Sequence, residues 1–342
     1  MKRVILKSNN AIGDTVCISS LIKPLRDLGF EPSILAKPFI FPLFEGMNLE
    51  LLDNNLINLK ENEFLDISRY WDFNPNSNPM PSEFSGKEKP EIAHLSEWMG
   101  YALNYYYGLS VHSSKEDVKV LLTKNEVIKA RNLLKSISTD KPIVALPLFA
   151  TTKNRNLLKK TIEDLVSEIS AFAIPLFLPT ANIKNIPNAV YLSDNLPLRE
   201  TAAILYASDQ IVGVDTGPTH LANAVLQGTP DYEIKGVNPS KGKVLLILGS
   251  THPSVIAYSS NRVLSRRKYK CPLAEPCGAV GYSCLEDAQK RFSIPFYKSG
   301  REGDASGCIF NDYTQSDVSK CMQEISAQEV IANIRAHIKD IN

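Results

Sequence analysis

The residues best suited to chemistry are Asp215, Thr216, Gly217, Pro218 and His220, set in the run QIVGVDTGPTHLANA from Gln210 to Ala224. A short apolar stretch (Ile211, Val212, Val214) leads into them, and small residues follow. The pattern predicts a buried strand, a tight turn and a helix. Gly217 lets the backbone turn and approach a ligand, and Pro218 suits the first helical position, where its missing N–H costs nothing. The unpaired N–H groups and positive dipole end of such a helix suit a phosphate. His220 falls in the first turn, where its side chain can face the same anion. The same residues also fit a plain capped turn with a structural histidine, because strand–turn–helix units recur throughout α/β folds.

A second turn of this kind lies near the start of the chain. Arg3 to Leu6 reads as a short buried strand, Ser8-Asn9-Asn10 as a polar loop, and about Thr15 to Leu28 as a helix that closes with Gly29, with Ile12-Gly13-Asp14 just before it. Asp14 is a carboxylate directly after a glycine. Its local pattern alone fits a helix cap in the Gly13-Asp14-Thr15 turn as well as it fits a general base.

These turns need a frame. A strand at 33–36 completes a strand–loop–helix–strand opening, the start of a doubly wound α/β fold. Trp71 to Pro90 is rich in Pro, Asn and Ser and reads as a surface loop. Ala93 to Leu109 is helix-like and aromatic (Trp98, Tyr101, Tyr105, Tyr106, Tyr107), a stripe better suited to packing than to ligand binding. After a helix at 125–136 and a turn at 138–142, β–α alternation restarts: strands at 143–148, 174–178, 210–214 and 244–248, with helices at 161–172, 199–207 and 218–226. Residues 227–243 read as an exposed loop insertion, and Ala327 to Ile341 as a final amphipathic helix capped by Ser326. The domain boundary is placed near residue 140.

With 342 residues there is room for two ordinary domains. Lys and Arg (38) nearly balance Asp and Glu (37), so bulk charge does not imply a nucleic-acid partner. No run reaches membrane-spanning length, and the N-terminus lacks the apolar core of a signal peptide, so a cytoplasmic protein is expected. Six cysteines in a chain of this length do not make a secreted disulfide scaffold.

With both halves in view, the chain resembles glycosyltransferase family 9, the ADP-heptose:lipopolysaccharide heptosyltransferase-like enzymes. Four pieces carry the resemblance: Ile12-Gly13-Asp14 with Pro24-Leu25-Arg26; His94-Leu95-Ser96-Glu97-Trp98; Asp215 to Ala222 (DTGPTHLA); and Gly249-Ser250-Thr251-His252-Pro253 followed by Cys321-Met322 and Ile325 to Val330. They occur in the family's order across nearly the whole chain, and DTGPTHLA is the most specific.

The resemblance implies a GT-B architecture, two Rossmann-like domains facing across a cleft. Residues 1–140 would form the acceptor domain and 141–325 the nucleotide-sugar domain, with a C-terminal helix at 326–342 packing back on the first domain. It implies inverting transfer of a sugar, a heptose by family precedent, from a nucleotide-diphosphate sugar to a hydroxyl, with no cofactor or metal needed for catalysis. The acceptor would be a lipopolysaccharide or other surface-glycan precursor, glycan or lipid-linked, met at the inner face of the membrane.

Under this resemblance Asp14 is the base that deprotonates the acceptor. Thr216, Gly217 and the helix after Pro218 hold the diphosphate, with His220 hydrogen-bonding one of its oxygens. Asp215 repels phosphate, so it orients the turn or binds a sugar hydroxyl. Thr151 and Thr152 are candidate phosphate or sugar contacts, and Lys153 or Arg155 is the candidate cation. Each of these two is equally readable as solvated surface charge.

Five cysteines fall between Cys271 and Cys321. Cys271, Cys277, Cys284 and Cys308 lack the two short pairs of a zinc ribbon. They are candidates for a structural zinc or iron site, with inert thiols the alternative. The basic stretch Arg262 to Lys270 could dock an anionic acceptor or be a solvated face. Three further functional alternatives follow: a relative that glycosylates protein or another polymer, a non-catalytic binding protein with the same fold, and a nucleotide-sugar epimerase that needs no acceptor.

Overall fold

A computed structural model describes residues 2–9, 11–57, 59–60, 63–68, 93–151, 155–179, 185–238, 242–249, 251–265, 316 and 318–341. In chain order the elements are β1 (Lys2–Lys7), α1 (Ile12–Asp27), β2 (Phe30–Ala36), a 3-10 segment (Pro38–Phe44), β3 (Glu50–Asp53), β4 (Leu65–Asp66), α2 (Leu95–Tyr107) and α3 (Lys124–Ile137). Then come β5 (Ile143–Ala145), α4 (Lys159–Ser170), β6 (Ile174–Phe177), β7 (Val190–Tyr191), α5 (Leu198–Ala207), β8 (Gln210–Val214), α6 (Gly217–Gly228), β9 (Val244–Leu248), α7 (Pro253–Ile256), β10 (Arg262–Ser265) and a C-terminal helix (Ala327–Ile341).

The strands form two parallel sheets, ordered β3-β2-β1-β4 and β10-β9-β8-β5-β6-β7. In each, the chain starts near the centre, builds one side, then returns to build the other. The reversals fall between β1 and β4 and between β5 and β8. At such a reversal the loops beyond the strand ends diverge and leave a crevice, the usual ligand site of open α/β sheets. The loops that carry the predicted site residues follow β1, β5 and β8.

The central strands β8 and β9 are buried along their whole length, which is why they read as unbroken apolar runs rather than alternating ones. One apolar cluster covers α1, α2 and α3, then continues through α5 and α6 onto one face of the second sheet. A second cluster fills the opposite face with α4 and the C-terminal helix. Much of α1 is buried: Val16, Ile18, Leu21 and Leu25 are all at most 1% exposed. It packs on β2, α2 and α6. A helix surrounded in this way has no polar stripe to reveal its orientation.

Three sequence expectations change here. Among the described residues the C-terminal helix packs on α4 of the second half rather than back on the first: Val330, Ile331 and Ile334 sit in the second cluster beside Leu165, Val166 and Ile169. An amphipathic stripe specifies a buried face but not its partner. For the same reason α3, placed before the boundary at 140, packs on α5. Glu126 at its capping box also pairs with Arg199 of α5 through both carboxylate oxygens. Arg199 donates in addition to the carbonyls of Pro42 (2.8 Å) and Leu121 (2.7 Å), joining the second half to the 3-10 segment of the first.

The stretch 227–243 is not a free loop where it is described. The Tyr232 hydroxyl donates to Leu122 O (2.8 Å), and Tyr206 to Pro230 O (3.1 Å). Lys243 is buried, with Nζ donating to Tyr206 O (2.6 Å) and Asn238 O (3.0 Å). The segment begins at the carboxyl end of α6. The DTGPTH turn lies at the amino end, about 18 Å away for a twelve-residue helix.

Candidate active site

The amino ends of α1 and α6 meet. A Cβ built on Gly13 would lie 2.9 Å from His220 Cδ2 and 3.5 Å from Gly217 Cα. One built on Gly217 would lie 3.0 Å from Ile12 Cβ and 3.3 Å from Gly13 N. Only glycine at both positions lets the two first turns nest this closely. The nesting sets Asp14, one residue past Gly13, beside the start of α6. Asp14 is half-buried, and Asn9 Nδ2 donates to its Oδ2. Asn9 Oδ1 accepts from Ala11 N (3.0 Å), so the loop after β1 holds the carboxylate in place.

No side chain caps α6. The Thr216 hydroxyl turns away and donates to Phe149 O (2.9 Å), pinning the turn to the loop after β5. Thr216, Gly217 and Pro218 form the partly exposed rim of the helix end. Pro218 is the second helical residue rather than the first. An uncapped amino terminus, with its dipole uncompensated by a side-chain oxygen, is an anion site.

Asp215 takes the turn-orienting one of its two sequence readings, and His220 is turned inward toward it. Asp215 is 6% exposed, and its carboxylate is occupied internally. Thr251 Oγ1 donates to Oδ2 (2.7 Å), Arg155 Nε lies 3.3 Å from the same oxygen, and His220 Nε2 lies 3.8 Å from Oδ1. Burial would raise its pKa, but Arg155, His220 and Thr251 overcome this and hold it at about 2. Asp215 therefore orients the turn and is not free to bind a sugar hydroxyl.

His220 is 5% exposed, with Nδ1 on the Tyr258 hydroxyl (3.2 Å) and Nε2 toward Asp215. Both ring nitrogens face groups of the protein itself. Burial disfavours its cation, yet Asp215, with a contribution from Cys17, raises its pKa well above the imidazole norm. Arg155, one of two candidate diphosphate cations, is part-buried with Nε turned to Asp215, so it is not a solvated surface charge.

The remaining expectations divide. Thr151 is exposed on the loop after β5, whose base is fixed by Asn156 bonding both backbone groups of Ala150. Thr152 and Lys153 lie outside the described residues, as do Cys271, Cys277, Cys284 and Cys308. Cys321 lies beside Gly249, its Sγ 2.7 Å from where a Cβ there would sit. Among the described residues no cluster of three His, Cys, Asp or Glu could hold a metal. Arg262, which opens the basic stretch, is structural: it donates to Gly242 O (2.8 Å), to Gln210 Oε1 (3.1 Å) and to the carbonyl of Asn333. Residues 266–270 are not among those described. Sequence reasoning missed Asn9, Thr251, Tyr258 and Cys17 as site residues. Asn9 meets Asp14 locally, whereas Thr251, Tyr258 and Cys17 join the site only through contacts across the fold, as with Cys17 and Tyr258, 241 positions apart.

Solved structures share this arrangement of elements over nearly the whole chain. A glycosyltransferase of family 9 from Veillonella parvula DSM 2008 aligns with a TM-score of 0.55 at 10% identity, covering 99% of this chain and 97% of that one. The fold is that of the family 9 glycosyltransferases. E. coli ADP-heptose lps heptosyltransferase II aligns with a TM-score of 0.55 at 11% identity, covering 99% of each. TibC, an iron-containing dodecameric glycosyltransferase from enterotoxigenic E. coli H10407, reaches 0.62 at 13% identity, over all of this chain and 77% of its own. No family model and no curated protein matches the sequence. The two parallel sheets thus match GT-B glycosyltransferase structures, at identities where shared fold is the whole of the likeness.

Proposed function

We propose that this protein is an inverting glycosyltransferase that moves a sugar from a nucleotide-diphosphate sugar to a hydroxyl of a glycan or lipid-linked acceptor. The nested amino ends of α1 and α6 support the reading, because they bring the first turn of α1, which carries Asp14, against an uncapped helix terminus. The diphosphate is held by Thr216, Gly217 and the start of α6, where negative charge growing on the leaving group is stabilised. Asp14 takes the acceptor proton as the acceptor oxygen attacks the anomeric carbon, and the bond from that carbon to the diphosphate oxygen breaks. Asp215, Arg155 and His220 support the turn from behind.

The proposed sugar is a heptose carried on ADP. The name of heptosyltransferase II supports this, as does the structure of TibC solved with ADP-D-beta-D-heptose. The proposed acceptor is a lipopolysaccharide or surface-glycan precursor reached from the cytoplasm at the inner membrane face. No described helix is long and apolar enough to cross a membrane. The reaction needs no metal for turnover.

Calorimetric titration of ADP, UDP and GDP tests the donor half of the proposal. Binding of one nucleoside diphosphate, retained by Asp14→Asn, is the expected result. Failure of all three to bind would refute it.

A further inference from the structure

Two buried imidazoles lie behind the proposed diphosphate turn, with ring centroids 6.5 Å apart. His94 caps α2, and its Nδ1 accepts from Ser96 N (3.2 Å), which requires a lone pair there and therefore a neutral ring. His220 differs. Its Nε2 faces the Asp215 carboxylate, and its Nδ1 faces a hydroxyl that has a second partner, since Tyr258 Oη also lies 3.7 Å from Cys17 Sγ. With the Tyr258 proton turned toward sulfur, the oxygen lone pair is free to accept Nδ1–H. Both nitrogens of His220 can then donate.

We propose that Tyr258 is a positioning residue that holds His220 as an imidazolium beneath the amino end of α6, so that the buried cluster presents surplus positive charge to the diphosphate. The inference rests on the transferase reading for what the charge serves, but not for the charge itself. Asp215 is one carboxylate between two cations, Arg155 and His220. Buried charge tends to be paired, and an arriving diphosphate would complete the pairing. The ring sits at the Gly13–Gly217 nest, close enough for that charge to act on both first turns. The groups facing His220 are Asp215 from the β8–α6 turn, Tyr258 from beyond α7, Cys17 from α1 and His94 from α2; Arg155 acts through Asp215. Two similarly buried rings are thus set in opposite states by their neighbours. The depressed pKa of His94, due to burial and then to the charge on His220, agrees.

The test is imidazole 15N NMR of the full chain from pH 5.5 to 11, with peaks assigned through His94→Gln and His220→Gln. The account expects His220 doubly protonated to at least pH 8 and His94 neutral down to pH 5.5. In Tyr258→Phe the His220 titration should move down by about one pH unit, a tenfold change in proton affinity. Cys17→Val, which frees the Tyr258 proton to donate to Nδ1, should move it the same way, so the reading survives failure of either variant to fold. A neutral His220 at pH 7 in the wild type would overturn the proposal, as would a titration unmoved in both variants. Inorganic pyrophosphate separates this from the transferase reading. It should bind Tyr258→Phe more weakly, by up to about tenfold, at a pH one unit or more above the wild-type His220 midpoint and equally well below both midpoints. If the wild type does not bind it while the NMR comes out as stated, the diphosphate site falls and the positioning role stands.

Discussion

Gly13→Ala isolates the geometry on which the site depends. The added methyl carbon would sit 2.9 Å from His220 Cδ2, against about 3.5–4.0 Å for relaxed carbon contact. The turns must therefore part by roughly 0.6–1.1 Å, because His220 is held at both ring nitrogens and cannot swing aside. Overpacking of this kind costs about 1–3 kcal/mol. Replacing a helical glycine by alanine returns up to about 1 kcal/mol through helix propensity. The net loss of stability is therefore about 0–3 kcal/mol, and the protein stays folded. Catalysis should suffer more, since a displacement of about 1 Å between reacting groups can lower a rate by a factor of about 100. The assay is kcat/KM for ADP release from ADP-heptose with acceptor, beside a urea unfolding curve on the same preparation. A hundredfold fall in kcat/KM with modest destabilisation is expected. Activity within threefold of wild type would refute the claim that the Gly13–Gly217 contact sets the site.

Three further outcomes follow from the charges and the chemistry. Asp215 has its pKa held at about 2, below the unfolded value, so its stabilisation is full above about pH 4 and lost as pH falls toward 2. The shift corresponds to roughly 2–3 kcal/mol, and Asp215→Asn should flatten acid unfolding between pH 5 and 2, read by circular dichroism. Lys243 has its pKa lowered to about 7 by burial, so the folded state binds fewer protons than the unfolded chain between about pH 7 and 10, and stability rises with pH there. Lys243→Met should abolish that rise in thermal melts; an unchanged slope would show that the two carbonyls keep the ammonium charged. EDTA should leave the transfer rate unchanged, and a loss restored by iron or zinc would contradict the metal-free chemistry.

Much of the fold is legible in the chain because its central strands are continuous apolar runs and its helices carry local end signals. The strand at 210–214 and the strand at 244–248 coincide with β8 and β9. Thr123 and Glu126 form the capping box of α3. The two-residue strands β4 and β7 are too short for any period to register. The strand expected at 143–148 is assigned only to 145, although Leu146 N and Pro147 O still bond to its neighbours.

The site divides along the same line. DTGPTH and the Gly13-Asp14 turn are local, and both lie where a strand end meets a helix start. The engagement of Asp215 by Arg155, sixty residues earlier, and by Thr251 is a product of sheet order, which places β5 and β9 on either side of β8. Without that order Asp215 reads as a turn-orienting residue or a sugar ligand, and Arg155 as a diphosphate ligand or a solvated charge. With it, Asp215, Arg155 and His220 become the support on which the exposed rim stands.

The central claim is transfer itself, and mass spectrometry tests it most directly. Wild type and Asp14→Asn would be incubated with ADP-heptose and a lipopolysaccharide-core acceptor truncated before its heptoses. The account predicts acceptor heavier by one heptose and stoichiometric ADP with the wild type, and a loss of at least a hundredfold with Asp14→Asn. Equal transfer by both proteins would contradict the role of Asp14. An unmodified acceptor with ADP-heptose intact would contradict the proposed reaction.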